Sequence, residues 1–254
     1  MRTVKTLYAL MIYLLLYLPI GVLILYSFNT SKFSTSWKGF TLGWYEKLLA
    51  NDSLIEAAMH SLTIALFSSI AATVIGTLGA VALYRYRFGG KSFLHALIYI
   101  LIVSPEVVMG ISLLMLFTAA AFPLGFSTLL IAHITLCVPF VIVTIASRLA
   151  DFDNSIIEAA KDLGASDYIT LYRVILPNIL PAVVAAFLLS FTLSLDDVII
   201  SFFVTGPSYE ILPLKIYSLV RVGVKPEINA LCTIMFILTV FIVLLSQFIL
   251  KEKK

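Results

Sequence analysis

Six mainly apolar runs, near residues 7–28, 60–84, 93–118, 126–147, 178–203 and 229–250, divide this chain into lengths that match a bilayer. A helix rises 1.5 Å per residue and needs roughly 20 apolar residues to cross the hydrocarbon layer. The pattern predicts an all-α fold: a polytopic membrane protein with six transmembrane helices, forming a single transmembrane domain over residues 1–254. Composition points the same way, with 61% hydrophobic and only 12% charged residues. Soluble domains carry about a quarter charged residues, so too little polar surface is present here to cover a water-soluble particle. The first run follows Arg2 and Lys5, exceeds a signal-peptide core in length, and lacks a small-x-small cleavage pattern. It is read as a retained span.

Orientation follows from Lys and Arg in the connections. Eleven of the 17 fall on the side shared by both termini: Arg2, Lys5, Arg85, Arg87, Lys91, Arg148, Lys161, Arg173, Lys251, Lys253 and Lys254. The other six, Lys32, Lys38, Lys47, Lys215, Arg221 and Lys225, fall on the opposite side. Both termini are therefore expected in the cytoplasm, with the connections 29–59 and 204–228 and the turn near Pro123 facing outward. No basic stripe exists outside the short loops, which excludes nucleic-acid binding. Cys137 and Cys232 sit inside apolar runs and read as small buried hydrophobes. The second span carries Ser68, Ala72, Gly76 and Ala80 at four-residue spacing, a row that lets helices approach closely in lipid.

The longest cytoplasmic connection, residues 151–177, reads DFDNSIIEAAKDLGASDYITLYRVILP. Asn154 or Ser155 is placed to cap a helix through Ile156, Ile157, Ala160 and Leu163, with Gly164 ending it. Ser166 or Asp167 is placed to cap a second short helix through Ile169, Leu171, Tyr172 and Ile175, stopped by Pro177. The expected product is a helix–turn–helix elbow with apolar faces.

Glu158-Ala159-Ala160, Gly164 six positions after the Glu, and Val174-Ile175-Leu176-Pro177 resemble the EAA loop of ABC importer permeases. The spacing is met in full, with Val174 where Ile is usual. The resemblance implies the type I importer permease fold and a bacterial inner-membrane location. It also makes residues 151–177 the coupling helix region, which docks on a cytoplasmic ATPase. Glu158, Ala159, Ala160, Gly164 and Pro177 are the coupling candidates. Small alanines allow close docking, Gly164 a sharp turn, and Glu158 a charge for the partner. The chain itself has no Walker A motif: Gly90-Lys91-Ser92 lacks the first glycine, since position 85 is Arg, and follows an apolar helix. It reads as a charged turn. No enzyme activity and no cofactor are expected in this chain, with ATP and Mg bound by the partner ATPase.

Glu106, Asp196 and Asp197 lie inside apolar runs. Each charge at membrane depth costs on the order of 3 kcal/mol on insertion scales, so these acids should line a water-filled path or meet a cation. Counted along straight helices from Phe93 and Asn178, Glu106 lies about 20 Å and Asp196 about 27 Å from the cytoplasmic face. Pro105 is expected to kink the third span. Adjacent residues diverge by about 100° around a helix, so both aspartates face one pore only where the helix unwinds. Substrate contact, internal pairing and a proton relay all remain open for them. Ser194 and Thr192 add hydroxyls. Three acids with no intramembrane Lys or Arg favour a cation and repel anions. His133 reads as a hydrogen-bonding bundle residue, and no metal site is expected. In the outer loops, Trp37, Trp44, Tyr45 and Tyr209 are interfacial anchors or a cation–π wall; Trp44, two positions from Glu46, is the better substrate-contact candidate.

Ala82–Phe88 (ALYRYRF), Ser190–Asp197 (SFTLSLDD) and Thr205–Tyr217 (TGPSYEILPLKIY) resemble the polyamine branch of the family, the spermidine/putrescine importer permeases. The similarity runs from about residue 7 to residue 248. It implies a sister permease, an ATPase dimer, a periplasmic polyamine-binding protein, and spermidine or putrescine as substrate. The alternatives are an ABC permease for another small cation or metal complex, or an ion-coupled secondary transporter, which has no need of an EAA-spaced loop.

Overall fold

Backbone polar groups in lipid must be satisfied within the chain, and helices account for most of the described residues. The computed structural model describes residues 2–31, 36–222 and 226–251. Lys32, Lys225, Lys253 and Lys254, all part of the charge balance, lie outside the described residues. The elements in order are α1 (Arg2–Ser27), α2 (Gly43–Leu49), α3 (Asp52–Arg85), α4 (Lys91–Val103), α5 (Glu106–Ala119), α6 (Phe126–Ala150) and α7 (Asn154–Asp162). After these come α8 (Asp167–Ile169), a π-helical stretch (Thr170–Ile175), α9 (Leu176–Asp196), α10 (Ile199–Val204), α11 (Leu212–Val222) and α12 (Pro226–Lys251). No strand occurs among the described residues, only the isolated bridges Asn29–Phe40 and Gly206–Tyr209.

Among the described residues five helical stretches are long and apolar enough to cross a membrane: Lys5–Ser27, Asp52–Arg85, Phe126–Ala150, Asp167–Asp196 and Pro226–Leu244. Among the described residues α4 and α5, bent by 112° at the break between them, are long and apolar enough for a sixth when taken together. The bend is a break rather than the expected kink. Ser104 and Pro105 are both extended, with ψ of 136° and 132°, because the proline ring drives its predecessor out of the helical region. Glu106 starts a new helix, so its depth does not follow from a straight count along one span.

The chain forms two units, Met1–Glu56 with Lys215–Lys254, and Ala57–Leu214. In the first, α1 and α2 pack on α12. In the second, α6 is the centre and contacts α4, α5, α9 and α10. The small-residue row of α3 is buried, and a Cβ at Gly76 would fall 2.6 Å from the Val141 side chain of α6. Gly110 plays the same part for α5 on α10: a Cβ there would lie 2.6 Å from the Phe203 ring and 3.3 Å from the Ile200 backbone.

The second helix of the loop does not stop at Pro177. It runs without a break from Asp167 to Asp196. The wide π turn just before the proline absorbs the steric conflict and the missing donor, with Leu176 N–H reaching back five residues to Leu171 O.

Candidate functional site

Every candidate residue of the loop lies in the second unit. Asp153, rather than Asn154 or Ser155, caps α7, its carboxylate accepting from the Ser155 N–H at 2.9 Å. That bond holds the Asp153 carboxyl below its ordinary range. Gly164, at φ +82°, ends the helix in a Schellman motif, with Gly164 N–H on Lys161 O at 2.8 Å and Ala165 N–H on Ala160 O at 3.0 Å. Ser166 caps α8 by accepting from Ile169 N–H. Ile157 is buried in the core with Leu149 and Ile175, while Glu158, Ala159 and Pro177 are exposed and Ala160 is half-buried. Leu163 is 89% exposed, and Ile156, Tyr168 and Tyr172 of the same loop are exposed as well.

The end of α3 holds both arms of this elbow. Tyr84 donates to Asn154 Oδ1 at 2.8 Å, Arg85 to Asp167 Oδ1 at 2.6 Å, and Tyr86 to Asp167 Oδ2 at 3.3 Å. Sequence reasoning used Arg85 for orientation and the Ala82–Phe88 stretch for resemblance, but gave Tyr84, Arg85 and Tyr86 no part in the elbow.

The intramembrane acids separate by environment. α9 ends at Asp196, which is exposed, as is Glu106 at the start of α5. Asp197 is extended (φ −63°, ψ 122°) and buried. Its Oδ1 accepts from Ile200 N–H at 3.2 Å, and its Oδ2 from Ser201 N–H at 2.8 Å and Ser201 Oγ at 2.7 Å. It thus caps α10 from within. Ser194 is also buried: Ser68 donates to it at 2.9 Å, and it lies 2.6 Å from His133 Nδ1. His133 Nε2 is 2.9 Å from Ser201 Oγ and 3.6 Å from Asp197 Oδ2.

Donor count fixes the direction of this chain. The Ser201 hydroxyl gives its hydrogen to Asp197, so its oxygen accepts from His133 Nε2–H. In the neutral imidazole Nδ1 then accepts from Ser194, whose oxygen accepts from Ser68. Helices α3, α6, α9 and α10 are joined by one satisfied relay. Thr192 is exposed and bonds its own helix at Leu188 O.

Trp44 lies in the other unit. It is buried, donates from Nε1 to Asn29 O at 2.6 Å, and carries the Lys47 ammonium 4.6 Å from its ring centroid. Among the described residues no group of three or more His, Cys, Asp or Glu is placed to hold a metal ion.

Residues 72–253 match the model of the family described as "Binding-protein-dependent transport system inner membrane component". The chain belongs to that family. It is a permease component rather than an enzyme, and a multi-pass inner membrane protein. It is 57% identical over 242 residues, 95% of this chain and 92% of the relative, to the spermidine/putrescine transport system permease protein PotC of Escherichia coli (strain K12). Identity is 55% over 241 residues, 95% and 94% of the two chains, to PotC of Haemophilus influenzae. To the putrescine transport system permease protein PotI of Escherichia coli it is 45% over 226 residues, 86% and 80% of the two chains. Among solved structures, a bacterial ABC transporter involved in alginate import superposes with a TM-score of 0.75 at 16% identity, covering 99% of this chain and 95% of that one. The inward-facing MetNI methionine ABC transporter gives 0.67 at 19% identity, covering 79% and 96%. Both likenesses concern the fold of an ABC importer permease.

Proposed function

We propose that this chain is a transmembrane subunit of an ATP-driven importer that passes polyamines, spermidine or putrescine, from periplasm to cytoplasm. The 57% identity over 95% of the chain to a spermidine/putrescine permease carries this reading. The exposed carboxylates of Glu106 and Asp196, each at a helix break, support it chemically: two separated anions suit a linear cation with separated ammonium groups.

In this reading Glu106 and Asp196 meet the substrate, while Asp197 and Ser194 shape the elbow that presents Asp196. Trp44 receives an incoming amine in place of the Lys47 ammonium now on its face. Both termini are cytoplasmic, following the excess of Lys and Arg on their side. Residues 151–177 dock on a cytoplasmic ATPase dimer, which holds ATP and Mg. Glu158, Ala159, Ala160 and Gly164 form the docking turn, and Pro177 lies in the continuous helix that carries its movement to Asp196. A sister permease completes the path and a periplasmic polyamine-binding protein delivers the substrate. Residues 1–254 act as one transmembrane domain.

The test is radiolabelled spermidine uptake into vesicles holding the assembled complex, with ATP supplied or a proton gradient alone. ATP-dependent uptake is expected. Uptake driven by the gradient without ATP contradicts the mechanism.

A further inference from the structure

We propose that His133 is a positioning residue for the cation path, acting through Ser194 and Ser201 to keep the chain unwound at Asp196–Asp197. This rests on the reading of Asp196 as a substrate contact.

His133 bonds one residue on each side of the break between α9 and α10. Ser194 precedes it and Ser201 follows it, at 2.6 and 2.9 Å from the two ring nitrogens. In a continuous helix, residues seven apart are separated by about 10.5 Å of rise. One imidazole with a hydrogen bond at each nitrogen spans about 8 Å at most. Its two bonds therefore favour the broken arrangement over the helical one. The imidazole and both serines are almost fully buried, so water cannot replace these bonds, and losing them leaves buried polar atoms unmade. Ser68 on α3 extends the tie to a fourth helix at 2.9 Å. Asp196, just inside the break, stays on the exposed side while Asp197 turns inward.

Gln presents a donor and an acceptor at a spacing close to that of the two imidazole nitrogens, whereas Leu keeps only bulk. The experiment compares His133→Leu, His133→Gln and Ser201→Ala in the assembled complex, in two readouts. The first is the KM and maximal rate of spermidine uptake, normalised to complex in the membrane. His133→Leu is expected to raise KM at least tenfold with the maximal rate within about twofold, Ser201→Ala to act in the same direction, and His133→Gln to stay within about threefold of wild type. The second is maleimide labelling of Asp196→Cys with Cys137 and Cys232 replaced by Ala, which needs no transport. His133→Leu is expected to slow labelling at least tenfold, and His133→Gln to restore it. Unchanged labelling in both His133→Leu and Ser201→Ala overturns the positioning role. So does reduced complex with unaltered KM, which is the mark of a stability role alone. Wild-type complex that takes up no spermidine, with labelling still sensitive to His133, overturns the substrate reading and leaves the positioning role standing.

Discussion

Asp197 holds Ser201 twice, by the backbone N–H at 2.8 Å and the hydroxyl at 2.7 Å. Its neighbour Asp196 stands exposed at the end of α9. Two adjacent carboxylates thus have opposite tasks, one internal and one facing outward. Asp197→Ala is expected to lower stability by about 1–3 kcal/mol, the cost of buried donors left without an acceptor. Asp196→Ala is expected to change it by less than about 0.5 kcal/mol. Thermal unfolding of the purified complex in detergent measures both. Equal losses would contradict the division.

Gly110 lets α5 meet α10. Gly110→Ala is expected to destabilise by about 1–3 kcal/mol through overpacking against Phe203. Phe203→Leu in the same chain should recover at least half of the loss, because the nearest atom belongs to the Phe203 ring. A double-mutant cycle from unfolding data gives the coupling; purely additive losses would show that the contact is not the cause.

The Asp153 cap should titrate. Its carboxyl is held below its ordinary range by the Ser155 N–H, so its contribution is fully present above the unfolded value of about 3.9. It is lost as pH falls through the folded value. Amide exchange over 154–162, compared with Asp153→Asn at each pH, is expected to match from pH 8 to 5. Below about pH 4 the wild-type loop should lose protection relative to the variant, whose amide caps without titrating. A difference between pH 8 and 5 would point to another group.

If the loop docks as proposed, Glu158→Lys is expected to cut uptake at least tenfold while ATP hydrolysis by the complex continues, since the substitution reverses a charge on the exposed docking turn. Paired uptake and phosphate-release assays on assembled complex measure this. Normal uptake would remove Glu158 from coupling.

Several of these features were legible in the residues, and the reasons differ. The loop was readable because its determinants are local: Ser166 caps where expected, and Gly164 turns the chain within four residues of Ala160. The first cap was misplaced by one residue, since Asp153, Asn154 and Ser155 are all capping types. Pro177 misled for a physical reason, because a π turn lets a helix carry a proline that would otherwise end it. Pro105 promised a kink and produced a 112° break, since Ser104 joins it in the extended region. His133 was readable only as a hydrogen-bonding residue. Its partners Ser194 and Ser201, and Ser68 behind Ser194, come from three other elements, at separations no periodicity reveals.

The most direct test of the account is spermidine uptake by Asp196→Asn in vesicles holding the complete complex, at matched complex levels. The side chain keeps its shape and loses only its charge. At least a tenfold fall in ATP-dependent uptake, with the unfolding temperature unchanged, is the predicted result. Wild-type uptake by this variant would contradict the claim that the cation passes by way of the exposed carboxylate at the end of α9.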